Sequence, residues 1–153
     1  KLLGEEHPSV ANSLNNLAGL YHHQGRYEGA EPLYLQALYM LKKLLGEEHP
    51  SVANSLHNLA SLYESQGRYE EAELLYLQAL DMYKKLLGPE HPYTQRTQKN
   101  YQNLLDKKAE GDKVSIKENY GQDLRSATIY SAFLTINLDI HTTSSTFTSV
   151  LMV

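Results

Sequence analysis

Cysteine and tryptophan are absent from the 153-residue chain, and phenylalanine occurs only twice. Without cysteine there is no disulfide framework, no thiolate-bound zinc or iron–sulfur cluster, and no thiol nucleophile. Excess positive charge is missing as well. The formal net charge is −4, so the basic footprint of a nucleic-acid or anionic-membrane binder is not there. No apolar run reaches the ~20 residues that a membrane helix needs, and no charged-then-apolar leader opens the chain. A cytoplasmic setting is the expectation from these two absences. The first residue is Lys1 rather than Met, and the chain reads as a piece of something longer. With 41% apolar and 21% charged residues it is globular in composition. Its one compositional excess is tyrosine, at 12 residues.

The chain repeats itself. Lys-Leu-Leu-Gly-x-Glu-His-Pro begins at Lys1, Lys43 and Lys85, a period of 42 residues. Residues 1–42 and 43–84 differ at eight positions, and a third copy keeps the pattern loosely to about Lys108. Each unit reads as two helices. Pro8, Pro50 and Pro92 suit a first helical turn, where a missing N–H has no partner to lose. Val10, Leu14, Leu17, Ala18 and Tyr21 then recur at three- and four-residue steps, one face of a helix that Gly25 ends. A second stripe follows through Tyr27, Ala30, Tyr34, Ala37, Leu38, Leu41 and Leu45, stopped by Gly46. Neither helix pair can bury its stripes alone, so the units are expected to stack into an α-solenoid. Pro32 breaks the local rules in the second turn of its helix and predicts a bend there; Leu74 holds the matching place.

The pattern Leu14-x-x-Leu17-Ala18-x-x-Tyr21-x-x-x-Gly25-x-Tyr27-x-x-Ala30-x-x-x-Tyr34-x-x-Ala37, repeated from Leu56 to Ala79, resembles the tetratricopeptide repeat. The period is eight longer than that family's usual length of about 34. With "LGEEHPSVANSLNNLAGLY" and "QGRYEGAEPLYLQAL" it looks like the kinesin-light-chain type. The resemblance covers residues 1–108 and weakens in the third unit, where Gln98 and Tyr101 replace leucines. It implies an all-α fold, a right-handed solenoid of antiparallel helix pairs. It also implies a scaffold or adaptor that holds an extended partner segment on the concave face of the first helices, without catalysis or cofactor. Helix 92–108, rich in Gln, Lys and Asn, suits a terminal cap.

A helical wheel of the first helix places Asn12, Asn15, Asn16, His22 and His23 opposite the apolar stripe. The matching arc of the second unit holds Asn54, His57, Asn58, Ser61, Glu64 and Ser65. Four of the eight inter-repeat differences fall in this arc, as expected of a face that meets different groups in each repeat; exposed positions also drift without such a role. Asn16, Asn58 and Asn100 keep the 42-residue spacing. A carboxamide both donates and accepts, so such a ladder can hold a peptide backbone, or equally can bond across to the next helix. Arg96 and Lys99, with Lys107, would draw an acidic ligand, while Glu64 opposes one. Self-association through exposed stacking surfaces is the alternative.

A catalytic or metal-dependent protein is the remote reading. His7, His49 and His91 belong to the His-Pro turns, one per repeat, and His22 and His23 diverge by about 100° on their helix. No His-Glu-x-x-His, phosphate loop or Gly-x-Ser-x-Gly occurs. Residues 109–153 are expected to form a separate, irregular tail, poorly ordered or loosely packed. Within it, Ala109 to Asp123 reads as a linker, Leu134 to His141 alternates as a strand does, and Leu124 to Phe133 is compatible with a helix.

Overall fold

The structure, a computed structural model, describes residues 7–120. The chain divides into two compact units, Lys1–Lys108 and Ala109–Val153. Five helices occur among the described residues: α1 (Pro8–His23), α2 (Tyr27–Leu45), α3 (Pro50–Ser65), α4 (Tyr69–Leu87) and α5 (Pro92–Tyr120). The strand at 134–141 and the alternative helix at 124–133 lie outside the described residues.

The helix boundaries follow from a few recurring side chains. His7 stands extended at the N-cap of α1, and its Nδ1 accepts from the Ser9 amide at 3.1 Å. His49 and His91 do the same for the Ser51 and Tyr93 amides at 3.1 and 3.2 Å. The His-Pro turn is therefore an imidazole cap followed by a proline at the first helical position. At the other end, Gly25 and Gly67 take φ of +72° and +75°. Arg26 N–H then reaches Tyr21 O at 2.9 Å and Gly25 N–H reaches His22 O at 2.9 Å, the paired bonds of a Schellman stop. Only glycine adopts that backbone cheaply, which is why the chain can turn into α2 within three residues.

Helix α1 packs on α2, α3 on α4, and the pairs stack through α2 on α3 and α1 on α3. Ala18, Ala30, Ala60 and Ala72, all fully buried, let the helices approach closely around Tyr34, Leu59, Leu62, Tyr76 and Leu104. A second cluster joins Ala11, Met40, Leu41, Val52, Leu56 and Ala79. The Lys1–Lys108 unit is thus an all-α solenoid of stacked antiparallel helix pairs, with α5 continuing the stack. Helix α2 runs unbroken through Pro32 and matches α4 in length, at 19 residues each. Pro32 is exposed, so its ring lies on the solvent side of the helix.

Two expectations differ from what is found. Leu17, expected in the buried stripe, is 40% exposed, whereas its counterpart Leu59 is 2% exposed; Leu20, outside that stripe, is 52% exposed against 0% for Leu62. The sequence is the same; α3 has the first pair stacked against it, and among the described residues α1 has nothing there. Second, α5 continues to Tyr120 through the polar stretch that reads as a linker. Glu110 and Asp112 are exposed on it, and Gly111 alone costs only about 1 kcal/mol.

Candidate functional site

The polar residues of the first helices fall into rows at the 42-residue period, and the rows have different fates. Asn15, His57 and Lys99 form one row. Asn15 is buried, and its Oδ1 accepts from Ser55 Oγ of α3 at 3.1 Å. His57 is buried as well, between Thr97 Oγ1 at 2.9 Å and Asn100 Nδ2 at 3.4 Å, both on α5. Thr97 already donates its hydroxyl to Tyr93 O at 2.8 Å, so His57 donates from Nδ1 and accepts at Nε2 from Asn100. Its ring meets Tyr76 edge-on, with centroids 5.4 Å apart. Burial, and then the Arg96 charge, pushes the imidazole down to about 4, so it is neutral. Asn15 and His57, expected on the open groove, are instead locks between successive first helices. Lys99 holds the same row in α5 and is exposed. The signal was present in the sequence: Ser55 and Thr97 also stand 42 residues apart, each 40 residues after its partner.

A second row of locks runs through His22, Glu64, Ser65 and Lys107. His22 Nε2 lies 2.8 Å from Ser65 Oγ, and Ser65 itself donates to Ser61 O at 3.0 Å, so His22 is the donor. One repeat later, Glu64 Oε1 accepts from Lys107 at 2.6 Å and its Oε2 from the Tyr76 hydroxyl at 3.0 Å. Glu64 is therefore neutralised rather than presented to a ligand. Burial and the neighbouring His23 charge lower the His22 pKa, with Glu64 opposing. On the second helices a third contact joins the pairs. Arg68 reaches Glu31 at 2.9 Å and Glu71 at 2.5 Å while lying 3.7 Å over the Tyr63 ring. Burial raises the Glu31 carboxyl, but hydrogen bonds from Arg68 and Tyr63 outweigh it and hold the group below its ordinary value.

What remains open is narrower than the wheel arc. Asn12, Asn16 and His23 of α1 are exposed; Asn54 and Asn58 of α3 are half-buried. None of the four asparagines forms a hydrogen bond with another described residue. Ser61, half-buried, lies against Tyr76 and contributes to setting its hydroxyl. Asn100 closes the asparagine row on His57. Arg96 is exposed, 5.2 Å over the Tyr93 ring. The structure thus brings Asn12, Asn16, Asn54 and Asn58 together as free carboxamides on two adjacent helices, flanked by His23 and Arg96.

No described helix is long and apolar enough to cross a membrane. No curated protein matches the chain. Among solved structures it is similar to BtubC (BKLC) from P. vanneervenii, with 28% identity and a TM-score of 0.61 over 67% of this chain and 41% of that one. A Podosopora anserina protein described as a putative kinesin light chain with nearly identical TPR-like repeats matches at 32% identity and a TM-score of 0.62, over 69% of this chain and 50% of that one. A single-substitution variant of that protein gives the same values. The chain spans about half, or less, of the length of these relatives. The tetratricopeptide repeat model matches residues 9–85. By that match, by the 42-residue helix pairs and by these neighbours, the chain belongs to the tetratricopeptide repeat family, in its kinesin-light-chain-like form.

Proposed function

We propose that the chain is a protein-interaction scaffold whose first helices hold an extended segment of a partner protein. A tetratricopeptide array supports protein–protein interaction in general; the finer reading rests on one observation. Asn12, Asn16, Asn54 and Asn58 sit in two rows at the repeat period, accessible and without a partner among the described residues. A carboxamide matches both the N–H and the C=O of an extended backbone, so repeated rows hold a chain largely irrespective of its side chains. The one acid in the arc, Glu64, is already paired with Lys107. Arg96 therefore tips the face toward a segment carrying acidic residues. No catalytic step or cofactor belongs to this reading. A peptide array probed with the wild type, Asn16→Ala and Asn58→Ala tests it. Loss of signal across many peptides in both variants supports the ladder, and an unchanged binding pattern rejects it.

Self-association is the second reading, favoured by the exposed Leu17 and Leu20 on the outer side of α1. Sedimentation across a concentration series separates the two. A concentration-dependent mass that Leu20→Glu abolishes would favour the second.

A further inference from the structure

We propose that the array carries a second binding site at its other end, an open groove, lined by the stems and polar heads of Lys, Gln and Asn side chains, that takes an extended polypeptide segment bearing a carboxylate. It lies between the end of α4, the Pro89 turn and α5, and has a volume of about 580 Å³. The site goes beyond the free asparagines of the first helices, with which it shares no residue; Lys99, expected on the first-helix face, lines this groove.

The repeat itself supplies the comparison. In α3, Ala53, Leu56 and Ala60 are buried; Leu56 clusters with Ala79 of α4, and Ala60 with Ala72 and Tyr76. The matching residues of α5 are Gln95, Gln98 and Gln102. What seats a helix in the second repeat is a row of amides in the third. Gln95 donates to Glu90 at 3.2 Å and Gln102 to Asp106 at 3.1 Å, which fixes two of them. Gln98 and Asn103 make no hydrogen bond among the described residues and are available to a backbone.

Solubility alone would need no more than those amides. The groove also holds two lysines from different helices, Lys84 of α4 and Lys99 of α5. Neither has an ion-pair or hydrogen-bond partner among the described residues. The one acid in the lining, Glu90, is engaged with Gln95. Two free ammonium groups beside free carboxamides suit a carboxylate on a peptide. From Gln95 to Gln102 the helix rises about 10 Å, the length of roughly three extended residues. The carboxylate is either an Asp or Glu side chain or a chain terminus.

Titration of the isotope-labelled full chain, followed by amide NMR shifts, tests the site with three probes. These are an acetylated, amidated tetraglutamate; its tetraglutamine counterpart; and acetylated tetraglycine with a free terminus. Shifts at Gln98, Lys99 and Asn103 with the first, the third or both, and none with tetraglutamine, are expected; which of the two acts identifies the carboxylate's source. The double variant Lys84→Gln, Lys99→Gln should bind about tenfold more weakly, the loss of a charged hydrogen bond, with an unchanged melting temperature because both side chains are exposed. Asn16→Ala with Asn58→Ala should leave this binding intact, so failure of the first-helix face does not remove it. Equal shifts with tetraglutamine, shifts confined to α1 and α3, undiminished binding by the lysine variant, or no shifts would each overturn the proposal and leave the end of α5 a solvated cap.

Discussion

His57 is the residue on which the junction between α3 and α5 turns. It is neutral and buried, with its folded pKa at about 4 against an ordinary 6.5. The unfolded chain therefore binds this proton more readily, and the stability due to His57 is complete above pH 6.5 and lost progressively toward pH 4. The shift sets an upper limit of about 3 kcal/mol on the loss. His22, also lowered, adds to the same slope. We expect chemical denaturation between pH 7 and 4.5 to show stability falling with acid, and His57→Asn, the residue that Asn15 places in the same row, to flatten most of that slope. An equally steep profile in the variant would count against a buried neutral imidazole. Tyr83 gives a contrasting case. Its hydroxyl is buried with no partner among the described residues, and burial pushes its pKa up to about 12. Tyr83→Phe should be neutral or stabilising by about 1 kcal/mol in thermal melts, because it deletes an unsatisfied group.

Helices were largely legible, because most starts and stops are written in local chemistry. The His-Pro cap opens α1 and α3, a glycine follows the end of each of α1 to α4, and α2 and α4 begin at Arg26 and Arg68 without a side-chain cap; the period-three-and-four stripes mark the buried faces. Less legible was how the polar arc divides. A wheel describes one helix and carries no information on where the next repeat presses on it. Asn15 lies within one turn of Asn12 and Asn16, and His57 within one turn of Asn54 and Asn58, yet Asn15 and His57 are inside an interface and the other four outside. The end of α5 is hidden for another reason: Ala, Glu and Lys are good helix formers that here carry no apolar stripe, so periodicity is silent on them. Pro32 belongs to this scale too. It sits exposed inside α2, and Leu74 shows what the position accepts in α4. Pro32→Leu should stabilise the chain by about 1–3 kcal/mol by restoring a helix-interior N–H, as measured by urea denaturation.

At the scale of the molecule, near-identical units have unequal surroundings, and that inequality is measurable. Leu59→Ala opens a cavity between stacked pairs and should cost about 2–5 kcal/mol. Leu17→Ala, at the matching but 40% exposed position, should cost under about 1 kcal/mol. Equal costs would mean that the outer side of α1 is covered in solution, as the self-association reading requires. The locks at Asn15, His57, His22 and Glu64 consume most of the polar arc in holding repeats together, and what they leave free is a short double row of carboxamides. The central claim, that this row holds a partner backbone, is tested most directly by following the side-chain NH2 signals of Asn12, Asn16, Asn54 and Asn58 while titrating a peptide recovered from the array. The account predicts that these four move together at one binding constant while Asn15 stays still. Movement elsewhere with these four unchanged would contradict it.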